Sequence, residues 1–155
     1  MARALSTRSG YELFDVGQEF RKGVREIPSR DVNELSLALN GLVVQRIATS
    51  ERMIIEGRLV GLQALGFSDV FKLLCTAPED VVADRYMARE RLGSLVESRD
   101  ALLERLRRDE RILSDTWGVC RRDIFNPELY DKLLDTSLGQ PDELILSLVN
   151  EGFIE

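Results

Sequence analysis

Apolar positions along the chain fall into two kinds of run. Short continuous runs occur in "YELFDVG" (11–17), "RMIIEG" (52–57), "DVFKLLCTA" (69–77) and "YDKLLDTS" (130–137). None alternates cleanly between apolar and polar. Pairs such as Leu13-Phe14, Ile54-Ile55 and Leu73-Leu74 put apolar side chains on both faces of a strand. That pattern predicts strands of a sheet covered by helices on each side. Between these runs the period changes. Val32, Leu35, Leu39, Leu42, Val43 and Ile47 recur at helical spacing behind Asp31 and Glu34, which have the form of a capping box. Pro78-Glu79-Asp80 opens a helix that reaches Arg89 or Arg91; Gly93 interrupts, and a polar helix covers about 95–113. Gln140-Pro141-Asp142-Glu143 opens a last helix that buries Leu144, Ile145, Leu148 and Val149.

Strand–helix alternation predicts an α/β layer fold with a mostly parallel sheet, and residues 1–155 read as a single domain. In such sheets ligands bind at the carboxyl ends of the strands. Gly17, Glu56-Gly57-Arg58, Thr76 and Thr136-Ser137 all stand at those ends and are expected to converge on one edge.

Charge changes the picture next. The net charge is −6, yet residues 85–122 hold ten arginines against seven acids, a net of +3, leaving −9 for the rest. All ten cations are Arg, which suits bidentate binding of phosphate or carboxylate. Charge pattern alone also fits a solvated helix laced with ion pairs such as Glu104 with Arg108 at i,i+4. Nucleic-acid binding by this stretch is disfavoured by its interleaved acids and the negative total. The absence of histidine excludes His-based triads and His zinc sites, but not phosphoryl transfer, which rests on positioning and cationic clamping. Cys75 and Cys120 are too few for a disulfide framework, and no apolar run has the length of a membrane span. A cytoplasmic protein without a membrane partner is expected.

Several segments together resemble the cytidylate kinase-like branch of the P-loop nucleoside monophosphate kinases. They are "GYELFDVGQEFR" (10–21), "MIIEGRLVG" (53–61), "APEDVVADRYMARE" (77–90), "LYDKLLDTS" (129–137) and "PDELILSLV" (141–149), in family order across almost the whole chain. The resemblance implies a three-layer P-loop kinase-type parallel sheet flanked by helices, with ATP and a nucleoside monophosphate, CMP or dCMP, as ligands and Mg²⁺ accompanying ATP. It implies acceptor-nucleotide roles for Gly17, Arg21, Glu56, Gly57 and Arg58, with Glu56 near the magnesium waters but no direct metal ligand. By spacing alone Arg21 reads as a surface residue paired with an acid. Arg85, Thr136 and Ser137 would lie by the donor nucleotide. Arg89 would reach the transferring phosphoryl group from a lid-like segment over about 85–122. Arg108 would be the lid's returning arginine, with Arg105 and Arg107 as alternatives; its spacing to Trp117-Gly118 is shorter than the family's.

The chain also departs from the family. No G-x-x-x-x-G-K-[ST] occurs in it, and the helix that follows that loop in the family matches "ARALSTRSG" (2–10). The family's first strand, central between the segments 52–57 and 69–77, is missing with the loop, and its loss unpairs two strand edges. The expectation is that Met1 is a misplaced start with further residues upstream, or that the chain is a remnant completed by another polypeptide. Residues 36–48 contain no acid where the family carries them, so the acceptor base is not read from this stretch. Three readings follow: a kinase given an upstream P-loop, a non-catalytic nucleotide- or protein-binding remnant, and the disfavoured nucleic-acid binder.

Overall fold

A computed structural model describes residues 1–26, 31–90 and 95–153. The four predicted strands are present and shorter than their apolar runs: β1 Glu12–Asp15, β2 Met53–Glu56, β3 Leu73–Thr76 and β4 Lys132–Asp135. Between and around them lie α1 Ala2–Ser9, α2 Val16–Glu26, α3 Val32–Thr49, α4 Val60–Gln63, α5 Glu79–Glu90, α6 Leu95–Trp117, α7 Arg121–Ile124 and α8 Pro141–Asn150. Gly93, expected to interrupt the helices after Pro78, lies outside the described residues.

The helix ends follow from local chemistry. Gly10 takes φ 71°, and its N–H donates to Ser6 O, which closes α1 in the left-handed conformation that glycine adopts without strain. Asp31 caps α3 by accepting from Asn33 N at 2.7 Å. At α8 the expected signal takes the form of a capping box, with Gln140 N donating to Glu143 Oε2 at 2.9 Å and Pro at the start.

Both strand pairs are parallel, β1 with β2 and β3 with β4. They do not join: the described residues form two two-stranded sheets, not the single sheet expected. Among the described residues no strand pairs with the open edges of β1–β2 and β3–β4, so no ladder carries across. The break falls between the two segments that the family resemblance sets on either side of its central strand. Several contacts among the described residues cross it. Helix α1 packs on β1, β2 and α8, α3 meets α6, and Thr116 Oγ1 on α6 donates to Asn33 Oδ1 on α3 at 3.0 Å.

The core uses many of the predicted positions, joined by Ala64, Ala83, Leu102 and Ile124, while Val32 stands exposed. Leu35 and Val43 of α3 are buried, as are Phe14, Leu74 and Leu134 of the strands. Ile145 and Leu148 are fully buried on α8, with Leu144 and Val149 half-buried beside them. The strands themselves are less covered than the expected layered sheet would leave them. Met53, Ile54 and Ile55 are all half-buried, while Cys75 and Leu133 are exposed.

Candidate functional site

A cavity of about 970 Å³ opens at the carboxyl ends of the strands. Arg58, Arg85, Arg89 and Arg105 line it, together with Thr136 and Ser137. Each arrives by a different route. Arg58 follows β2, Arg85 and Arg89 stand one turn apart on α5, and Arg105 comes from α6, which packs along α5. Thr136 and Ser137 follow β4, where Thr136 N donates to Thr76 O at 2.8 Å and extends the β3–β4 ladder by one residue.

Of the donor-side residues anticipated from the sequence, Arg85 and Thr136 are bonded to each other, and Ser137 is bonded to Asp135. Arg85 Nη1 donates to Thr136 Oγ1 at 2.7 Å, and Arg85 Nη2 donates to Thr136 O at 2.6 Å. Thr136 Oγ1 in turn donates to Thr76 O at 2.8 Å. Asp135 Oδ1 accepts from Ser137 N at 2.9 Å and Ser137 Oγ at 2.6 Å. The Ser137 side-chain and backbone bonds hold the Asp135 carboxyl below the usual carboxylate range, with Arg85 adding to the effect.

On the other side of the cavity the cations are tied through one acid. Arg58 Nη2 lies 2.6 Å from Asp109 Oδ2, and Arg105 Nε lies 3.5 Å from the same oxygen. Tyr86 contacts Arg105 and one further guanidinium: Arg89 sits 5.2 Å and Arg105 5.6 Å from its ring centre. Arg105 is held below the usual arginine range, first by desolvation and then by the Arg58 and Arg89 charges; Asp109 and Tyr86 oppose the shift. Asp109 and Tyr86 were not singled out from the sequence. The i,i+4 spacing of Arg105 and Asp109 is a signal that could have found the first; nothing in the spacing marks the second.

Placement separates the remaining candidates. Of the three arginines considered for the return of the lid, Arg105 lines the cavity. Arg107 lines a shallower depression with Glu110, Arg111 and Ser114, and Arg108 is exposed and borders neither. The anticipated Glu104–Arg108 pair is replaced by Glu104 with Arg111 at 3.9 Å, two turns along the same helix stripe. Gly17 and Arg21 lie together on α2, where a Cβ on Gly17 would stand 3.3 Å from both Arg21 Nη1 and Asp15 Oδ1. Neither lines the cavity, nor do Glu56 and Gly57. Gly57 is required by packing: a Cβ there would be 2.9 Å from Val60 Cγ2 and 3.1 Å from Val16 Cβ. Glu56 is exposed at the tip of β2 and acts electrostatically on Cys75 of β3, as does the Met1 ammonium. The strand tips on the two sides of the break therefore share one electrostatic environment. Cys75 keeps a solvent-exposed surface, but protein surrounds much of its thiol, and this desolvation pushes it above its ordinary range.

No family model matches this chain. It is similar to a cytidylate kinase of Methanosarcina mazei, 28% identical over 151 residues that cover 88% of this chain and 79% of the relative. It is also similar to a cytidylate kinase of Thermoplasma volcanium, 24% identical over 160 residues that cover 97% and 82%. In structure it resembles an uncharacterized protein from Eubacterium ventriosum with a TM-score of 0.68 at 9% identity, covering 96% of this chain and 88% of that one. The sequence likenesses support a distant kinase-like relationship, and the structural one an α/β fold. Among the described residues no helix is long and apolar enough to cross a membrane.

Proposed function

We propose that this chain is the nucleotide-binding frame of a nucleoside monophosphate kinase-like protein. It transfers the terminal phosphoryl group of ATP to CMP or dCMP once a strand and phosphate-binding loop fill the break between β2 and β3. The observation that carries this reading is the convergence of Arg58, Arg85, Arg89 and Arg105 on one cavity at the strand ends, beside that break. Four guanidiniums around a space of this size are matched to a polyphosphate. The two cytidylate kinase likenesses point to the acceptor class.

In the reaction an oxygen of the acceptor phosphate forms a bond to the terminal phosphorus of ATP. The bond from that phosphorus to the bridging oxygen breaks, and ADP leaves. Arg58, with Gly17, Arg21, Glu56 and Gly57 on the β1–β2 side, holds the acceptor. Arg85, Thr136 and Ser137 position the donor. Arg89 with Arg105, or Arg108 after a lid movement, neutralises charge on the group in transit. Among the described residues no three His, Cys, Asp or Glu side chains gather into a cation site. By the family resemblance Mg²⁺ would accompany the ATP phosphates, with Glu56 acting on it through water. When bound, the ion neutralises phosphate charge.

A second reading is a non-catalytic remnant that binds a nucleotide or a protein strand. It is favoured by the absence of a G-x-x-x-x-G-K-[ST] sequence and by the unjoined strand pairs.

The test is ADP formation from ATP with CMP, dCMP, UMP and AMP as acceptors, for the protein carrying the upstream strand and phosphate-binding loop and for its Arg58→Ala variant. Expected are turnover that is fastest with CMP or dCMP and a loss of about 10³-fold or more in Arg58→Ala. Thermal stability should fall by only about 1 kcal/mol, because Arg58 is itself exposed and Arg105 stays beside Asp109 Oδ2 when Arg58 is removed. Nucleotide binding without turnover selects the second reading. Full activity of Arg58→Ala sinks the site assignment.

A further inference from the structure

Asp109 does not itself line the cavity, yet it contacts two of the guanidiniums that do, Arg58 and Arg105. Its side chain is 20% exposed, and its Oδ2 is buried with no partner in hydrogen-bond alignment. Charge alone holds it, 2.6 Å from Arg58 Nη2 and 3.5 Å from Arg105 Nε. The two cations come from opposite sides of the broken sheet, Arg58 after β2 and Arg105 on α6. Arg89, which shares the Tyr86 ring with Arg105, adds a like charge beside it. One carboxylate thus balances a group of mutually repelling guanidiniums on the cavity wall. A carboxylate and a phosphate offer the same paired oxygens to an arginine fork.

We infer that Asp109 is an internal anion occupying the Arg58–Arg105 seat, and that an incoming phosphate group must displace it. The inference rests on the reading of the arginine cavity as a phosphate site and adds a regulatory element to it. In the ligand-free protein the Asp109 bridge ties α6 to the β2 end. A phosphate dianion competes for the same guanidiniums and repels the carboxylate, so its arrival exchanges one anion for another and frees α6 from Arg58. Asp109 thereby lowers phosphate affinity, whereas an acid that only orients Arg58 would raise it.

The two outcomes are opposite in sign, which makes the test direct. Binding of inorganic tripolyphosphate to the full chain is measured by calorimetry at fixed ionic strength for the wild type, Asp109→Asn, Asp109→Ser and Glu110→Gln. Glu110 is exposed on the same helix and outside the cavity, so Glu110→Gln makes the same charge change away from the seat. Expected are binding about tenfold tighter in both Asp109 variants and within about twofold of wild type in Glu110→Gln. Amide exchange along α6 should rise in wild type on adding tripolyphosphate and already be high in unliganded Asp109→Asn. Unchanged or weaker binding in both Asp109 variants overturns the displacement while leaving the arginine site intact. Equal tightening in Glu110→Gln overturns it too, because the effect is then general. No tripolyphosphate binding in any variant overturns both the displacement and the phosphate-site reading.

Discussion

The two halves of the broken sheet hold their candidate residues by different means. Around β3–β4 the site is cross-braced. Arg85 is fixed at both terminal nitrogens by Thr136, Thr136 is fixed by Thr76, and Ser137 is fixed by Asp135. Around β1–β2 the residues are placed by packing. Gly57 lets Val16 and Val60 close on the end of β2, while Arg21 and Glu56 are exposed. Arg58 is held across the break by Asp109 of α6. A hydrogen-bonded loop arrives preorganised, so its ligand needs little rearrangement. A strand tip placed by packing leaves its charged side chains free to reorganise around an acceptor. The β3–β4 side, proposed for the donor, is thus cross-braced, and the β1–β2 side, proposed for the acceptor, is placed by packing.

Three substitutions can break or sharpen that contrast. The largest effect is expected from Ile145→Ala. Ile145 is fully buried on α8, the helix that α1 contacts across the break. Removing its branched side chain should cost about 2–5 kcal/mol in chemical denaturation. The halves should still unfold together; two separated transitions would show that they are independent and would end the comparison. Gly57→Ala should cost about 1–3 kcal/mol, because the new Cβ would press on Val60 and Val16, and Val16 has no flexible end to move aside. Acceptor KM should rise with donor KM unchanged; a rise in both would mean that the β2 tip and the donor loop are one rigid unit. The smallest effect belongs to Thr136→Val, which keeps the shape and the backbone acceptor but removes the hydroxyl between Arg85 and Thr76. A stability loss of about 1 kcal/mol is expected, with donor KM up several-fold and acceptor KM unchanged. Unaltered donor binding would show that the cross-brace does not serve the donor.

These contrasts also mark how far the sequence could be read. The four strands were legible because a strand covered on both faces leaves a continuous apolar run, and each run found its strand within a few residues. Helix α8 was legible from Gln140 to Glu143 because a capping box is local chemistry. The pairing of Arg85 with Thr136 lies across 51 residues. The family resemblance placed both residues by the donor nucleotide but did not anticipate that they bond to each other, since no local period carries that pairing. The choice among Arg105, Arg107 and Arg108 was not legible. All three sit on one polar helix, and only the packing of α6 along α5 turns Arg105 toward Tyr86 and the cavity. Asp109 was missed for the same reason, as one of seven acids in an arginine-rich stretch until Arg58 is brought to it from another element.

The sequence by itself determined the elements, their order, and which chemistry stands at the strand ends, because periodicity, caps and turn residues act over a few neighbouring positions. Tertiary structure alone decided which arginines share a cavity, which acid they share, and where the ladder stops. Those outcomes depend on helix rotation and strand adjacency, which residues far apart in the chain set together.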